Sequence, residues 1–332
     1  MLTAARKDIL TRHARNPLLT RADWPYPINT VFNAGAVRLP SVRRGGSAEA
    51  ATLLLCRVED RAGISHLCAA RSPDGIGDWT VDDTPTLPPD PANHPEEEWG
   101  IEDPRVVWHE ELERFSVAYC CYSKRGPAVS LALTADFKSF ERLGVVLPPE
   151  NKDAALFPRR FGGRWAMIHR PVPFSVGGAE MWISFSPDLK HWGDHQLLMS
   201  TRSGPWWDGS KIGLSTPPIE TKEGWLLTYH GARQTVAGQN YYVGLALLDL
   251  DDPTRCIRRS HHYVLAPETE YERNGDVDNV VFPCGYTVGD DWDTLNLYYG
   301  AADTAIALAQ GSIGGLLEWL KNDDCLGSAA DR

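Results

Sequence analysis

A strand-like pattern recurs five times along the chain, and charged residues return at matching points in each copy. The first apolar segments lie at residues 33–39, 103–108, 154–158, 215–219 and 279–283. The second segments lie at residues 53–57, 115–119, 165–170, 225–230 and 295–299. Third segments ending in an acidic turn lie at residues 70–74, 133–136, 185–188 and 247–249, and residues 306–309 supply this strand in the last copy. Small antiparallel units repeated about every 50–70 residues are typical of a β-propeller. The sequence therefore predicts an all-β fold, a five-bladed β-propeller.

Short helical extensions are expected at both ends of the repeats. Residues 3–15 have the pattern of an amphipathic helix, and Asn16-Pro17 would end it because the residue before a proline disfavours the helical region. Residues 313–321 are predicted to form a closing helix. The predicted division is an N-terminal helical extension at 1–20, the propeller at 21–312, and a C-terminal helix and tail at 313–332.

Composition and charge exclude several classes of function. The net charge of −11 argues against a nucleic-acid partner. No apolar run is long enough to span a membrane, and the N-terminus lacks the apolar centre of a signal peptide. The seven Cys are scattered, with neither metal-site spacing nor a disulfide framework. A soluble cytoplasmic protein without a metal site is expected.

Charged side chains interrupt the apolar strands at equivalent ends, where burying an unpaired charge would be expensive. The set comprises Arg57, Asp103, Arg170, Lys211, His230, Asp278 and Asp303. Any one of them also fits a structural ion pair between blades. Because a propeller gathers equivalent positions around its axis, however, the cations would converge on one point. Such a cluster binds an oxyanion, for which phosphate is the natural ligand, with carboxylates opposite.

Aromatic residues near the same strand ends fit a sugar ligand as well as core packing. An aromatic face stacks on the apolar side of a pyranose, but propeller blades also pack on Trp and Tyr. At least half of these residues are expected in the core. Trp207 lies in a Gly-rich loop before Lys211 and is the least easily explained as core. It is therefore predicted to contact the substrate.

Several motifs, taken in order, resemble glycoside hydrolase family 130. They include GIEDPR at 100–105, HRP at 169–171, KIG at 211–213, YHG at 229–231, VVFPCG at 280–285 and YGAAD at 299–303. The resemblance extends from about residue 16 to residue 310. That family consists largely of β-mannoside phosphorylases on a five-bladed propeller.

The resemblance implies a role for each matching residue. Asp103 resembles the proton donor, which requires a raised pKa if it is to be protonated at neutral pH. The residues that resemble the phosphate-binding set are Arg57, Arg170, Lys211, His230 and the nearby Tyr241. Asn33 and Asp303 resemble the residues that hold the nonreducing mannose. Asp278 and Trp207 complete the predicted substrate contacts.

The implied reaction is inverting, reversible phosphorolysis of a β-mannoside to α-mannose 1-phosphate and a shortened acceptor. Inorganic phosphate is the co-substrate, and no cofactor is implied. A β-mannosidase on the same scaffold and a non-catalytic sugar-binding propeller are the alternatives, and the complete cationic set favours phosphorolysis. The cleaved linkage, the acceptor, the chain length and the oligomeric state are left open by the sequence.

Overall fold

The computed structural model describes residues 9–39, 51–172 and 178–323, and within them five antiparallel sheets form the blades of a propeller. Blade 1 contains β2 (Thr30–Leu39), β3 (Ala51–Glu59), β4 (Ser65–Ser72) and β5 (Thr80–Val81); blade 2 contains β6 (Ile101–His109), β7 (Arg114–Ser123), β8 (Gly126–Thr134) and β9 (Glu141–Leu147). Blade 3 contains β10 (Asn151–Leu156), β11 (Trp165–Pro171), β12 (Met181–Ser186) and β13 (Gly193–Met199). Blade 4 contains β14 (Lys211–Leu214), β15 (Ile219–Thr221), β16 (Gly224–Thr235), β17 (Gly238–Leu248) and β18 (Cys256–Arg259). Blade 5 contains β19 (Val281–Val288), β20 (Thr294–Ala301), β21 (Ala305–Ser312) and β1 (Thr11–Arg12). The predicted five-bladed propeller is confirmed.

The N-terminal segment closes the ring as a strand, so the helix expected at residues 3–15 is wrong where the structure describes it. Strand β1 pairs with β21, and the backbone N–H of Leu18 donates to the carbonyl of Ile306 at 2.8 Å. Pairing with the outer edge of blade 5 satisfies backbone groups that an open edge would leave exposed. Leu10, within the segment predicted as a helix, is buried in the propeller core. Residues 1–8 lie outside the described residues.

The C-terminal helix is where the sequence predicts it. Helix α2 (Ile313–Asp323) follows β21 directly and buries Leu316 and Leu320 against the core between blades 4 and 5. A shorter helix, α1 (Glu270–Arg273), connects these blades. Single 3₁₀ turns occur at Arg21–Asp23 and Pro95–Glu97. The division at residues 20 and 312 stays a prediction.

The innermost strands of blades 1, 2 and 3 share a local irregularity that determines the site. In each, the pairing with the next strand shifts by a bulge, between residues 32 and 35, 102 and 105, and 152 and 155. Asn33, Asp103 and Asp153 lie in these bulges with φ of 44°, 51° and 53°. Asn and Asp are the non-glycine residues that best tolerate this left-handed conformation. Because a bulge redirects a side chain, three polar groups turn toward the axis at one end of the propeller.

Candidate active site

A cavity of about 750 Å³ opens where these inner strands begin. Its lining includes eight of the ten predicted site residues: Asn33, Arg57, Asp103, Arg170, Lys211, His230, Tyr241 and Asp303. A second cavity of about 800 Å³ is lined by later positions of the inner strands, such as Val37, Val107 and Val288, and includes none of the ten. The two cavities have similar volumes, so the candidate active site is identified by the polar and charged side chains that line it.

Asp103 is held on one side of the cavity by direct hydrogen bonds. Its Oδ1 accepts from Asn33 Nδ2 at 2.9 Å and from Arg57 Nη1 at 3.1 Å. The same guanidinium donates through Nη2 to Glu102 Oε1 at 3.0 Å, and Lys152 Nζ donates to Glu102 Oε2 at 3.3 Å. Arg57 thus lies among the carboxylates, on the side of the predicted acid.

The surrounding charges give the carboxyl groups of Asp103 and Asp303 different pKa values. Burial alone would raise the pKa of Asp103, but the cationic Arg57, Lys152 and Arg105 outweigh burial and hold that pKa below its usual value. The pKa of Asp303 is instead raised to about 7, by burial and by the neighbouring charges of Asp103 and Glu102, against the opposing effect of Arg57. The raised pKa expected for Asp103 therefore belongs to Asp303. Two carboxyl groups with separated pKa values are a common acid–base arrangement.

Asp153 is the anionic centre of the opposite side. Its Oδ2 accepts from Arg170 Nε at 2.6 Å and lies 3.4 Å from His230 Nε2, while Arg105 Nη2 lies 3.4 Å from Oδ1. Burial opposes ionisation of this carboxyl, which is 4% exposed, yet Arg170, His230 and Arg105 hold its pKa well below the usual range. The close approach requires Gly213, because a Cβ there would lie 2.5 Å from Asp153 Oδ2.

Lys211, Tyr241 and His230 complete this side of the cavity. Lys211 Nζ lies 4.6 Å from the centre of the Tyr241 ring, a cation–π distance. Burial and the nearby Arg170 lower the pKa of Lys211 to about 8. Burial also lowers the pKa of His230, and among the described residues neither of its ring nitrogens has a hydrogen-bond partner. Together with Arg170, these groups offer donors to an anionic ligand.

Arg105 turns away from the carboxyl of Asp103, which the sequence left open. Its Nε donates to the carbonyl of Ser215 at 2.7 Å and its Nη2 to that of Leu214 at 2.9 Å, so it ties blade 2 to blade 4. Arg57 instead supplies the ion pair that keeps Asp103 ionised. Arg105 adds to this effect through its charge, without a direct contact with the carboxyl.

Comparison with known proteins places this geometry in a family. Residues 53–322 match the profile of glycoside hydrolase family 130, described as beta-1,4-mannooligosaccharide phosphorylase. The chain belongs to glycoside hydrolase family 130. It is 35% identical to the "Beta-1,4-mannooligosaccharide phosphorylase" of Ruminococcus albus over 324 residues, which cover 95% of this chain and 92% of that protein. It is 39% identical to the "Beta-1,2-mannobiose phosphorylase" of Listeria innocua over 258 residues, 78% of this chain and 69% of that protein.

A solved family 130 structure has the same fold. The Listeria innocua beta-1,2-mannobiose phosphorylase, in complex with beta-1,2-mannobiose, superposes with a TM-score of 0.84 and 31% identity. The alignment covers 95% of this chain and 99% of that one. The resemblance seen in the sequence is confirmed, and so is the assignment to an enzyme family of glycoside phosphorylases.

Two predicted substrate contacts of this family 130 chain are not in the cavity lining. Trp207 is a core residue, 7% exposed, with its ring 5.4 Å from that of Tyr229 and its Nε1 donating to the carbonyl of His261 at 3.0 Å. Asp278 is exposed and accepts from the backbone N–H of Gly275 at 3.2 Å. Trp207 packs in an apolar core cluster and Asp278 accepts a hydrogen bond within a local turn, so the structure does not place either of them at the cavity wall.

Four charged residues of the cavity lie outside the set predicted from the sequence: Glu102, Glu150, Lys152 and Asp153. Asp153 stands one residue before an apolar segment, at the position that Asn33 and Asp103 occupy in their blades. Beginning the third segment one residue earlier, at 153, aligns Asp103 with Asp153 and, at the preceding position, Glu102 with Lys152. The signal was therefore present in the spacing of the family 130 repeats.

The cavity itself offers no evident place for a metal ion. In the part of the chain that the structure describes, no group of three His, Cys, Asp or Glu side chains is arranged to hold one. No helix among the described residues is both long and apolar enough to cross a membrane.

Proposed function

We propose that this protein catalyses the inverting phosphorolysis of a β-mannoside, giving α-mannose 1-phosphate and a shortened acceptor sugar. The observation that carries the proposal is the division of one cavity into a carboxylate side around Asp103 and a cationic side around Arg170, Lys211 and His230. The curated relatives, named as mannoside phosphorylases, support the same reaction class.

The cationic side is suited to inorganic phosphate. Arg170 uses Nε for Asp153, which leaves the two terminal nitrogens of its guanidinium for a bidentate contact with an oxyanion. Lys211 and Tyr241 lie at the same wall, and the Nδ1 atom of His230 makes no hydrogen bond among the described residues, whereas its Nε2 lies 3.4 Å from Asp153. We infer that phosphate binds there and attacks C1 of the mannose from the face opposite the leaving oxygen.

The carboxylate side is suited to the mannose and the acid. Asn33 and Asp303 border the cavity from blades 1 and 5, and the amide oxygen of Asn33 has no partner among the described residues. Asp103, in contact with Asn33, would deliver the proton to the leaving oxygen. A mannose held between Asn33 and Asp303 would present its glycosidic oxygen to Asp103.

A phosphorylase does not need the second catalytic carboxylate of an inverting hydrolase. That carboxylate activates water, whereas phosphate is already an anionic nucleophile. In this cavity the nucleophile side is cationic, and the carboxylate at its centre, Asp153, is engaged by Arg170, Arg105 and His230. A carboxylate so engaged is a poor base, which favours phosphorolysis over hydrolysis.

The test is release of mannose 1-phosphate from β-1,4-mannobiose, β-1,2-mannobiose and mannosylglucose, each with and without inorganic phosphate. Phosphate-dependent formation of the α-anomer is expected, and the substrate consumed fastest identifies the linkage. Free mannose released at a phosphate-independent rate would indicate a hydrolase. Binding without turnover of any substrate would instead favour a non-catalytic propeller.

A further inference from the structure

Tyr122 borders the cavity on its blade 2 side and packs against a second aromatic residue, Trp99; neither takes part in the contacts described above. Tyr122, near the end of β7, lines the cavity, and Trp99, at the end of the loop formed by residues 82–99, lies against it. The ring centres are 5.5 Å apart at an interplanar angle of 61°. Trp99 is 43% exposed, and the Tyr122 hydroxyl has no hydrogen-bond partner among the described residues.

The backbone fixes this pair firmly. The N–H of Trp99 donates to the carbonyl of Tyr122 at 2.8 Å, and the N–H of Tyr122 donates to the carbonyl of Gly100 at 3.0 Å. The preceding 3₁₀ turn is anchored by buried Glu97, which accepts from Tyr119 Oη and Arg142 Nη1, each at 2.8 Å. The half-buried ring of Tyr122 is therefore held in place at the cavity wall, with Trp99 against it, as a preformed binding surface requires.

In the proposed reaction, different blades contact different reactants. Blades 3 and 4 supply the proposed phosphate contacts through Arg170 and Lys211, and blades 5 and 1 supply the proposed mannose contacts through Asp303 and Asn33. The leaving sugar must lie next to the acid, because its oxygen receives the proton as the bond to C1 breaks. Blade 2 carries Asp103 and, beside it, Tyr122, and this part of the ring is the one that the phosphate and mannose sets do not use.

We propose that Tyr122, supported by Trp99, forms the acceptor subsite, where the leaving sugar of the mannoside stacks its apolar face on the tyrosine ring. This inference rests on the proposed phosphorylase function and says where the leaving sugar of its substrate binds. Aromatic rings recognise the C–H face of a pyranose while the hydroxyls at its edge remain free for polar contacts. Tyr122 is a binding residue for the acceptor, and Trp99 is a positioning residue that acts through it.

The experiment uses the synthetic direction, where the acceptor is a separate reactant. The full chain and its Tyr122→Ala and Tyr122→Phe variants are supplied with α-mannose 1-phosphate and with glucose, mannose or N-acetylglucosamine. For the best acceptor, Tyr122→Ala is expected to raise the KM about tenfold, because the free energy of one aromatic stacking contact corresponds to about that change in affinity. Tyr122→Phe is expected to retain the wild-type KM, because stacking needs the ring and not the hydroxyl. Trp99→Ala is expected to raise the acceptor KM less, since Trp99 acts through Tyr122.

A second measurement separates stacking from general damage. Calorimetric titration with mannose 1-phosphate, which has no acceptor part, is expected to give the same Kd for wild type and Tyr122→Ala. Tyr241→Ala, on the phosphate side of the same cavity, is the matched control: it should raise the KM for phosphate in phosphorolysis and not the KM for the acceptor. An unchanged acceptor KM in Tyr122→Ala would overturn the subsite. Absence of product from the wild type with each acceptor would overturn the proposed function itself, and the inference with it.

Discussion

Replacing Asp153 with asparagine tests whether the cationic side of the cavity depends on one buried carboxylate. The side chain is 4% exposed and pairs with Arg170, Arg105 and His230. Asparagine preserves size and tolerates the left-handed φ of 53°, so the change removes charge without adding backbone strain. Its effect is therefore electrostatic.

The expected loss of stability is large. Removing one partner of a buried ion pair leaves uncompensated charge and costs about 3–5 kcal/mol. With an unfolding entropy near 2.1 cal/mol/K per residue over 332 residues, this loss lowers Tm by about 4–7 °C. Because the folded pKa of Asp153 is depressed, its contribution is complete above the unfolded pKa of about 3.9 and is lost as pH falls through the folded value. The difference from wild type is thus fully present at pH 7.

Inorganic phosphate should restore part of that loss, because it can replace the missing anion beside Arg170. Thermal unfolding with and without phosphate is expected to show a larger phosphate-induced rise of Tm in Asp153→Asn than in wild type. Asp208→Asn is the matched control, since Asp208 is fully buried with Arg259 at 2.7 Å but does not line the cavity. It should lose similar stability with no enhanced response to phosphate. Equal phosphate responses in the two variants, or an unchanged Tm in Asp153→Asn, would refute the reasoning.

Three further substitutions test the assigned roles. Asp103→Asn is expected to lower kcat about 10²–10⁴-fold while the KM for the mannoside stays within a few-fold, as steady-state rates would show. Lys211→Arg should abolish a rise of the phosphate KM above pH 8, because the pKa of Lys211 is about 8 and an arginine stays charged; a parallel rise in both proteins would contradict this. Asp303→Asn should remove a limb near pH 7 from the pH profile of kcat/KM, because the pKa of Asp303 is about 7; persistence of that limb would assign it to another group.

The fold and most of the cavity could be predicted because they depend on local periodicity. Alternating apolar segments define each blade, and the symmetry of a propeller then brings Arg170, His230 and Asp303 together. The N-terminal strand could not be predicted from local periodicity, because Thr11 pairs with Gln310, which is close to the other end of the sequence. A two-residue strand carries too little pattern to be distinguished from a helix.

Side-chain direction was the harder prediction. Trp207 lies in a Gly-rich loop, where an aromatic residue suggests an exposed contact, and only its packing on Tyr229 reveals that it belongs to the core. Asp153 was missed although it has the bulge position of Asn33 and Asp103, because the apolar segment of its repeat begins only at residue 154. The error at Trp207 concerns which way a side chain points, which the period of the sequence does not specify.

The location of the proton follows from the charges around the two axial carboxyls. Asp103 is ionised in the free protein because Arg57 bonds to it, whereas Asp303, with a pKa of about 7, retains a proton over much of the neutral range. Phosphorolysis by hydrogenphosphate needs no net proton from solvent, since the proton lost from phosphate equals the one gained by the leaving oxygen. The proton that Asp103 delivers to the leaving oxygen would therefore reach it from phosphate or from the neighbouring Asp303, which holds one near neutrality. An acid of permanently raised pKa, as the sequence alone required of Asp103, is not needed.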